Sequence, residues 1–92
     1  MALQFGEFCD LIARRVCSRV PAARYRAPQN SNGPALIGVL GARATMTREG
    51  GYWRVTFART GQAVTMSGLS GERFDAFVAG NVGESIATFL AP

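Results

Sequence analysis

The chain has 92 residues, 48% of them hydrophobic, a formal charge of +4 and a calculated isoelectric point near 10.0. All ten cationic side chains are arginine, and lysine and histidine are absent throughout. That excludes a P-loop and a lysine Schiff base, and it removes the imidazole that serves as general base near neutrality and as the commonest transition-metal ligand.

GC-rich coding is the plainest source of the missing lysines. The remaining guanidinium forks suit phosphate, carboxylate and aromatic faces. The length predicts a single domain over residues 1–92 that buries only roughly 60–65% of its unfolded surface, so a homodimer would be one route to added stability. The longest apolar run, Ala35 to Ala42, is less than half of the ~20 residues a membrane span needs, so no membrane partner is expected. The opening residues lack a basic segment, and Glu7 and Asp10 interrupt their apolar character, which argues against a signal peptide.

The first predicted element is a helix over residues 4–19. Phe5, Phe8, Cys9, Ile12 and Val16 recur at three- and four-residue steps on one face, with Glu7, Asp10 and Arg14 on the other. Asp10 and Arg14 form a favourable i,i+4 pair, and Pro21 stops the helix. Cys9 falls in the apolar stripe and Cys17 at its margin. Eight residues along a helix separate them by about 12 Å, too far for a disulfide, which fits a reducing cytoplasmic setting.

Residues 21–34 have no period, and their prolines, asparagines and Gly33 predict a long loop. Three strands are expected next. In residues 35–48, Leu36, Leu40, Ala42, Ala44 and Met46 alternate with Arg43, Thr45 and Thr47. Glu49-Gly50-Gly51 signals a hairpin. In residues 52–59, Trp53, Val55 and Phe57 point inward, while Tyr52, Arg54, Thr56 and Ala58 point outward. Thr60-Gly61-Gln62 makes a second turn, and residues 63–67 carry Val64 and Met66 on one face with Ala63 and Thr65 on the other. Ser70 is the expected N-cap of a C-terminal helix with Glu72 in its first turn. Phe74, Phe77 and Val78 form its apolar stripe, Gly80 and Gly83 weaken it, and Ile86, Phe89 and Leu90 resume it. A break near Asn81 is predicted.

These elements predict an α+β fold, a two-layer sandwich of helix, three-stranded antiparallel meander and helix. The helices cover the Trp53–Val55–Phe57 face, leaving Arg43, Thr45, Thr47, Tyr52, Arg54, Thr56 and Thr65 on the other. The element order resembles that of double-stranded RNA-binding domains. That family carries a lysine-rich run at the start of its second helix, where this chain reads Ser70-Gly71-Glu72-Arg73-Phe74-Asp75, one arginine between two acids. The resemblance therefore implies the topology and none of the RNA-contacting chemistry.

Catalysis finds little footing. The carboxylates Glu7, Asp10, Glu49, Glu72, Asp75 and Glu84 fall on helix surfaces or in turns, and Cys17 and the serines have no base. Two cysteines on one helix make no metal quartet, and Gly80-Asn81-Val82-Gly83 is no dinucleotide fingerprint, so no catalytic, metal or cofactor residue is assigned. Gly68 to Gly71, between strand and helix, suits an anion or a simple chain reversal. The leading expectation is a non-enzymatic interaction or regulatory protein of a phage-related kind, binding a protein partner through Arg43, Tyr52, Arg54 and the 21–34 loop. The alternative is a nucleic-acid binder. Arg14, Arg15, Arg19, Arg24 and Arg26 put five arginines within thirteen residues, and Tyr25 between the last two could stack on an unpaired base.

Overall fold

The computed structural model describes residues 3–62 and 73–91 with their side chains, and the backbone of residues 65–70. Seven elements follow in chain order: α1 (Phe5–Arg19), β1 (Arg24–Arg26), β2 (Ala35–Val39), β3 (Ala42–Glu49), β4 (Tyr52–Arg59), β5 (Thr65–Ser70) and α2 (Ala76–Leu90). The α+β class and the antiparallel meander stand, but the sheet has five strands in the order β1-β2-β3-β4-β5. The double-stranded RNA-binding order of elements is thereby lost.

Two strands were hidden in segments read otherwise. Residues 35–48 are not one strand but a hairpin turning at Leu40-Gly41, where Gly41 takes φ +88 and Val39 pairs with Ala42. The turn exchanges odd and even positions between the two faces. Ala35 and Ile37 join Ala42, Ala44 and Met46 in the core, while Leu36 is half-buried and Leu40 fully exposed. The 21–34 loop contains β1, whose three residues pair with Leu36 to Gly38 of β2. The loop's far end is held by the Arg48 amide donating to the Asn32 carbonyl at 2.9 Å. There buried Gly33 has φ +88, and an added Cβ would sit 2.8 Å from the Met46 carbonyl oxygen.

Both helices pack on one face of this sheet. Phe5, Phe8, Cys9, Ile12 and Val16 of α1 are buried as their spacing predicts. Phe8 is the hub, its ring 5.7 Å from Trp53 and 5.1 Å from Phe74. The C-terminal helix is continuous from Ala76 to Leu90, with no break at Asn81. Gly80 and Gly83 serve its crossing with α1 rather than ending it. A Cβ on Gly83 would meet Arg15 Cβ at 2.8 Å and the Ile12 carbonyl oxygen at 3.2 Å. Close helix approach thus outweighs the roughly 1 kcal/mol each glycine costs a helix. Its N-cap is Asp75, whose carboxylate accepts from the Val78 amide at 2.9 Å, because Ser70 belongs to β5. Phe74 is buried ahead of the helix, but Phe77 is 67% exposed, with Arg73 5.8 Å from its ring. The expected facings of Ala63, Val64, Thr65 and Met66, the role of Glu72 and any anion site at Gly68 to Gly71 lie outside the described residues.

Candidate functional site

With both helices on one side, no described residue outside the sheet covers its other side, and strand register sets what stands on it. Arg24, Gly38, Arg43 and Ala58 are cross-strand partners in one row, and Arg26, Leu36, Thr45 and Thr56 in the next. Thr47 and Arg54 follow, then Glu49 and Tyr52 at the far end. Short β1 therefore carries Arg24 and Arg26 out of the loop and onto the same face as Arg43. All three are exposed.

The three residues expected to bind a partner do not form one cluster. Arg43 lies opposite Ala58, while Tyr52 is six residues along β4, a separation of about 20 Å at the usual strand rise. Tyr52 is 51% exposed. Arg54 is half-buried beside it and pairs with Glu49 at 2.9 Å. The face has two ends: a neutralised one at Arg54, Glu49 and Tyr52, and a cationic one at Arg24, Arg26 and Arg43.

The five-arginine run that suggested nucleic acid is split between the two layers. Arg15 and Arg19 belong to the helix side, where both reach Glu84 of α2, at 3.3 and 2.5 Å. Those contacts hold the Glu84 carboxyl below the usual range, the Arg19 hydrogen bond contributing most. Arg14 lies beside them in a groove of about 350 Å³ with Leu11, Ala76 and Gly80. Tyr25, the intended stacking residue, points opposite to Arg24 and Arg26 as strand alternation requires. Its hydroxyl donates to Asp10 Oδ1 at 2.8 Å, and burial, followed by that bond, raises its pKa. Asp10 is thereby engaged by Tyr25, and no salt bridge joins it to Arg14 among the described residues. The phenol anchors β1 to α1 and sets which way its two arginines face.

The remaining arginines are committed. Arg73 pairs with Asp75, Arg48 donates to the Gly50 carbonyl at 3.1 Å and lies over Phe74, and Arg59 donates to the Phe89 carbonyl. Among the described residues, Arg24, Arg26 and Arg43 take part in no ion pair, hydrogen bond or cation–π contact. They border a concavity of about 750 Å³ whose lining also includes Leu36, Gly38 and Leu40. Gly38 forms its floor between Arg24 and Arg43. A Cβ there would press on Arg43 Cβ at 2.9 Å and on the Ala42 carbonyl oxygen at 2.7 Å.

The two cysteines, both free, sit in different surroundings. Cys9 is a core residue whose thiol is pushed up to about 12, chiefly by burial and then by the charge of Asp10. The Cys17 thiol donates to the Ala23 carbonyl at 3.7 Å. The carboxylates with resolved shifts, Asp75 and Glu84, are lowered, toward the ionised form and away from a general acid.

Two signals in the sequence point to the cationic end. Arg-Tyr-Arg is a minimal period-two pattern, and Gly41 after an apolar run is a turn residue. No protein-family model, curated protein or solved structure matches this chain. No helix among the described residues is long and apolar enough to cross a membrane.

Proposed function

We propose that this chain is a small non-catalytic interaction protein that works by seating the open face of its sheet on a protein partner. The observation that carries this reading is the uncovered face itself, with Arg24, Arg26, Arg43 and Tyr52 exposed on one surface. Arginine and tyrosine are among the residues that dominate binding energy at interfaces. A second copy suits the cationic end poorly, because a two-fold contact there would set Arg24, Arg26 and Arg43 against themselves. A cytoplasmic setting goes with this reading, since Cys9 and Cys17 are both free thiols.

The test is affinity capture and mass spectrometry from the source organism, with and without nuclease, using wild type and a variant with Arg43, Tyr52 and Arg54 replaced by alanine. A protein retained after nuclease and lost with the variant is the expected result. Retention unaffected by all three replacements would overturn it.

One observation favours a second reading as a nucleic-acid binder: three guanidiniums without counter-charges among the described residues border one concavity. Its signature would be affinity falling steeply with salt. The aromatic placement weighs against it. Tyr25 is turned to the helix side, and Tyr52 stands about 20 Å from Arg43. An anisotropy titration with DNA and RNA at low ionic strength that detects no binding rules this reading out.

A further inference from the structure

The cationic end of the open face combines charge, bare backbone and exposed aliphatic surface in a way that selects among partners. We propose that the β1–β3 corner docks an extended acidic and aliphatic segment of a partner protein, its carboxylates on Arg24, Arg26 and Arg43 and an apolar side chain on Leu40. This rests on the reading of the open face as a protein-binding surface, and it names the chemistry of the partner.

Charge complementarity is the first argument. The acid placed on this face among the described residues, Glu49, is paired with Arg54 at the opposite end. The second is spacing. Alternate residues of an extended segment lie about 6.6–7 Å apart, so carboxylates two residues apart match Arg24 and Arg26, which are themselves two residues apart on a strand. Bare Gly38 lets that segment approach the floor between Arg24 and Arg43. The third argument separates polypeptide from nucleic acid. Leu40 is fully exposed at the tip of the β2–β3 hairpin, with Leu36 half-buried nearby. A phosphodiester backbone offers a leucine nothing, whereas an aliphatic side chain two residues along from a carboxylate, on the same face of the extended segment, covers it.

The experiment is an amide chemical-shift titration of the isotope-labelled chain at low ionic strength. Three probes are used: an acetylated, amidated Ser-Glu-Ser-Glu-Ser-Leu-Ser-Glu peptide, whose glutamates and leucine share one face when extended, the same peptide with glycine in place of leucine, and a thymidylate 12-mer. The leucine peptide should saturably shift residues of β1 and the Leu40-Gly41 turn, and bind at least tenfold more weakly to R24A/R43A. In L40A its affinity should fall several-fold toward that of the glycine peptide, whose own binding should not change. Each variant must retain the wild-type amide pattern away from its substitution. Shifts confined to the helices, equal loss of both peptides in L40A, or tighter binding of the 12-mer to the same corner would each overturn the inference. If the leucine peptide does not bind while host-protein capture still depends on Arg43, Tyr52 and Arg54, this inference falls and the broader reading stands. If the peptide saturates the corner while capture ignores those residues, the broader reading falls instead.

Discussion

Arginine stands on both faces of the sheet and does different work on each. On the helix-covered side, Arg59 donates to the Phe89 carbonyl at 2.5 Å and lies 4.8 Å over that residue's ring. Arg48 lies 5.5 Å over Phe74, and in the helix layer Arg15 and Arg19 converge on Glu84. On the open side Arg24, Arg26 and Arg43 touch no counter-charge among the described residues. A planar guanidinium over a hydrocarbon stem can serve either purpose, as packing group or as exposed fork. Coding bias explains why these residues are arginine rather than lysine. It does not explain why Arg15, Arg19, Arg48 and Arg59 are engaged while Arg24, Arg26 and Arg43 stand together with no counter-charge among the described residues.

If the covered side carries the stability, its apolar hub should be the costliest residue to truncate. Phe8, 1% exposed between Trp53 and Phe74, should lose about 3–5 kcal/mol as F8A, measured by urea unfolding. A loss under about 1 kcal/mol would break the comparison at its base. Next comes the helix crossing, where two glycines on one helix should respond with opposite signs. G83A forces a Cβ against Arg15 Cβ and the Ile12 carbonyl and should cost about 1–3 kcal/mol. In G80A the added Cβ has Arg15 Nη2 at 3.6 Å as its near neighbour, an ordinary contact, so restored helix propensity should gain up to about 1 kcal/mol. Matching signs would show that Gly83 is not the point of closest approach.

The covered side was the more legible of the two in sequence. Helix α1 declares itself because Phe5, Phe8, Cys9, Ile12 and Val16 repeat with the helical period, and the Gly50-Gly51 turn because glycine supplies the left-handed conformation, with φ +61 at Gly50. The Leu40-Gly41 turn hides inside Ala35 to Ala42, where both odd and even positions are apolar or glycine, so the exchange of faces leaves no mark in the pattern. Strand β1 is three residues long, a single period-two repeat, and depends on β2 and on the Tyr25–Asp10 bond, both distant in sequence. Helix α2 misleads for the same reason. The local cost of Gly80 and Gly83 is visible, but the α1 backbone that requires Gly83 is not. Most of the candidate site therefore rests on long-range pairing, while its residue types could be read directly.

A smaller effect should follow acid. The Asp75 carboxyl is held below its ordinary value first by the Val78 amide and then by Arg73, and that of Glu84 first by Arg19. A group with a depressed folded pKa contributes stability above its unfolded pKa and loses it as pH falls through the folded value. Both contributions should therefore be intact at neutral pH and fade below the usual carboxylate range of about pH 4. The Tm of wild type should fall over that interval, and E84Q should show a shallower fall. Added salt should shrink the difference, since both groups are partly solvent-exposed. Parallel acid limbs for wild type and E84Q would show that the Arg15–Glu84–Arg19 contacts add nothing to the helix layer.

The smallest expected effect on stability is the one that most sharpens the contrast. Replacing Arg24, Arg26 and Arg43 together by alanine removes three positive charges from a chain of formal charge +4, yet breaks no contact among the described residues. Each change should stay within about 0.5 kcal/mol, and relief of like-charge repulsion along β1 and across Gly38 of β2 should push the sum toward stabilisation. Salt supplies an internal check, because screening should raise the Tm of wild type more than that of the triple variant. A loss beyond about 1.5 kcal/mol in urea would mean that these arginines hold the sheet together as Arg59 does. A stable triple variant that no longer binds the acidic leucine peptide would leave binding as the work of the open side.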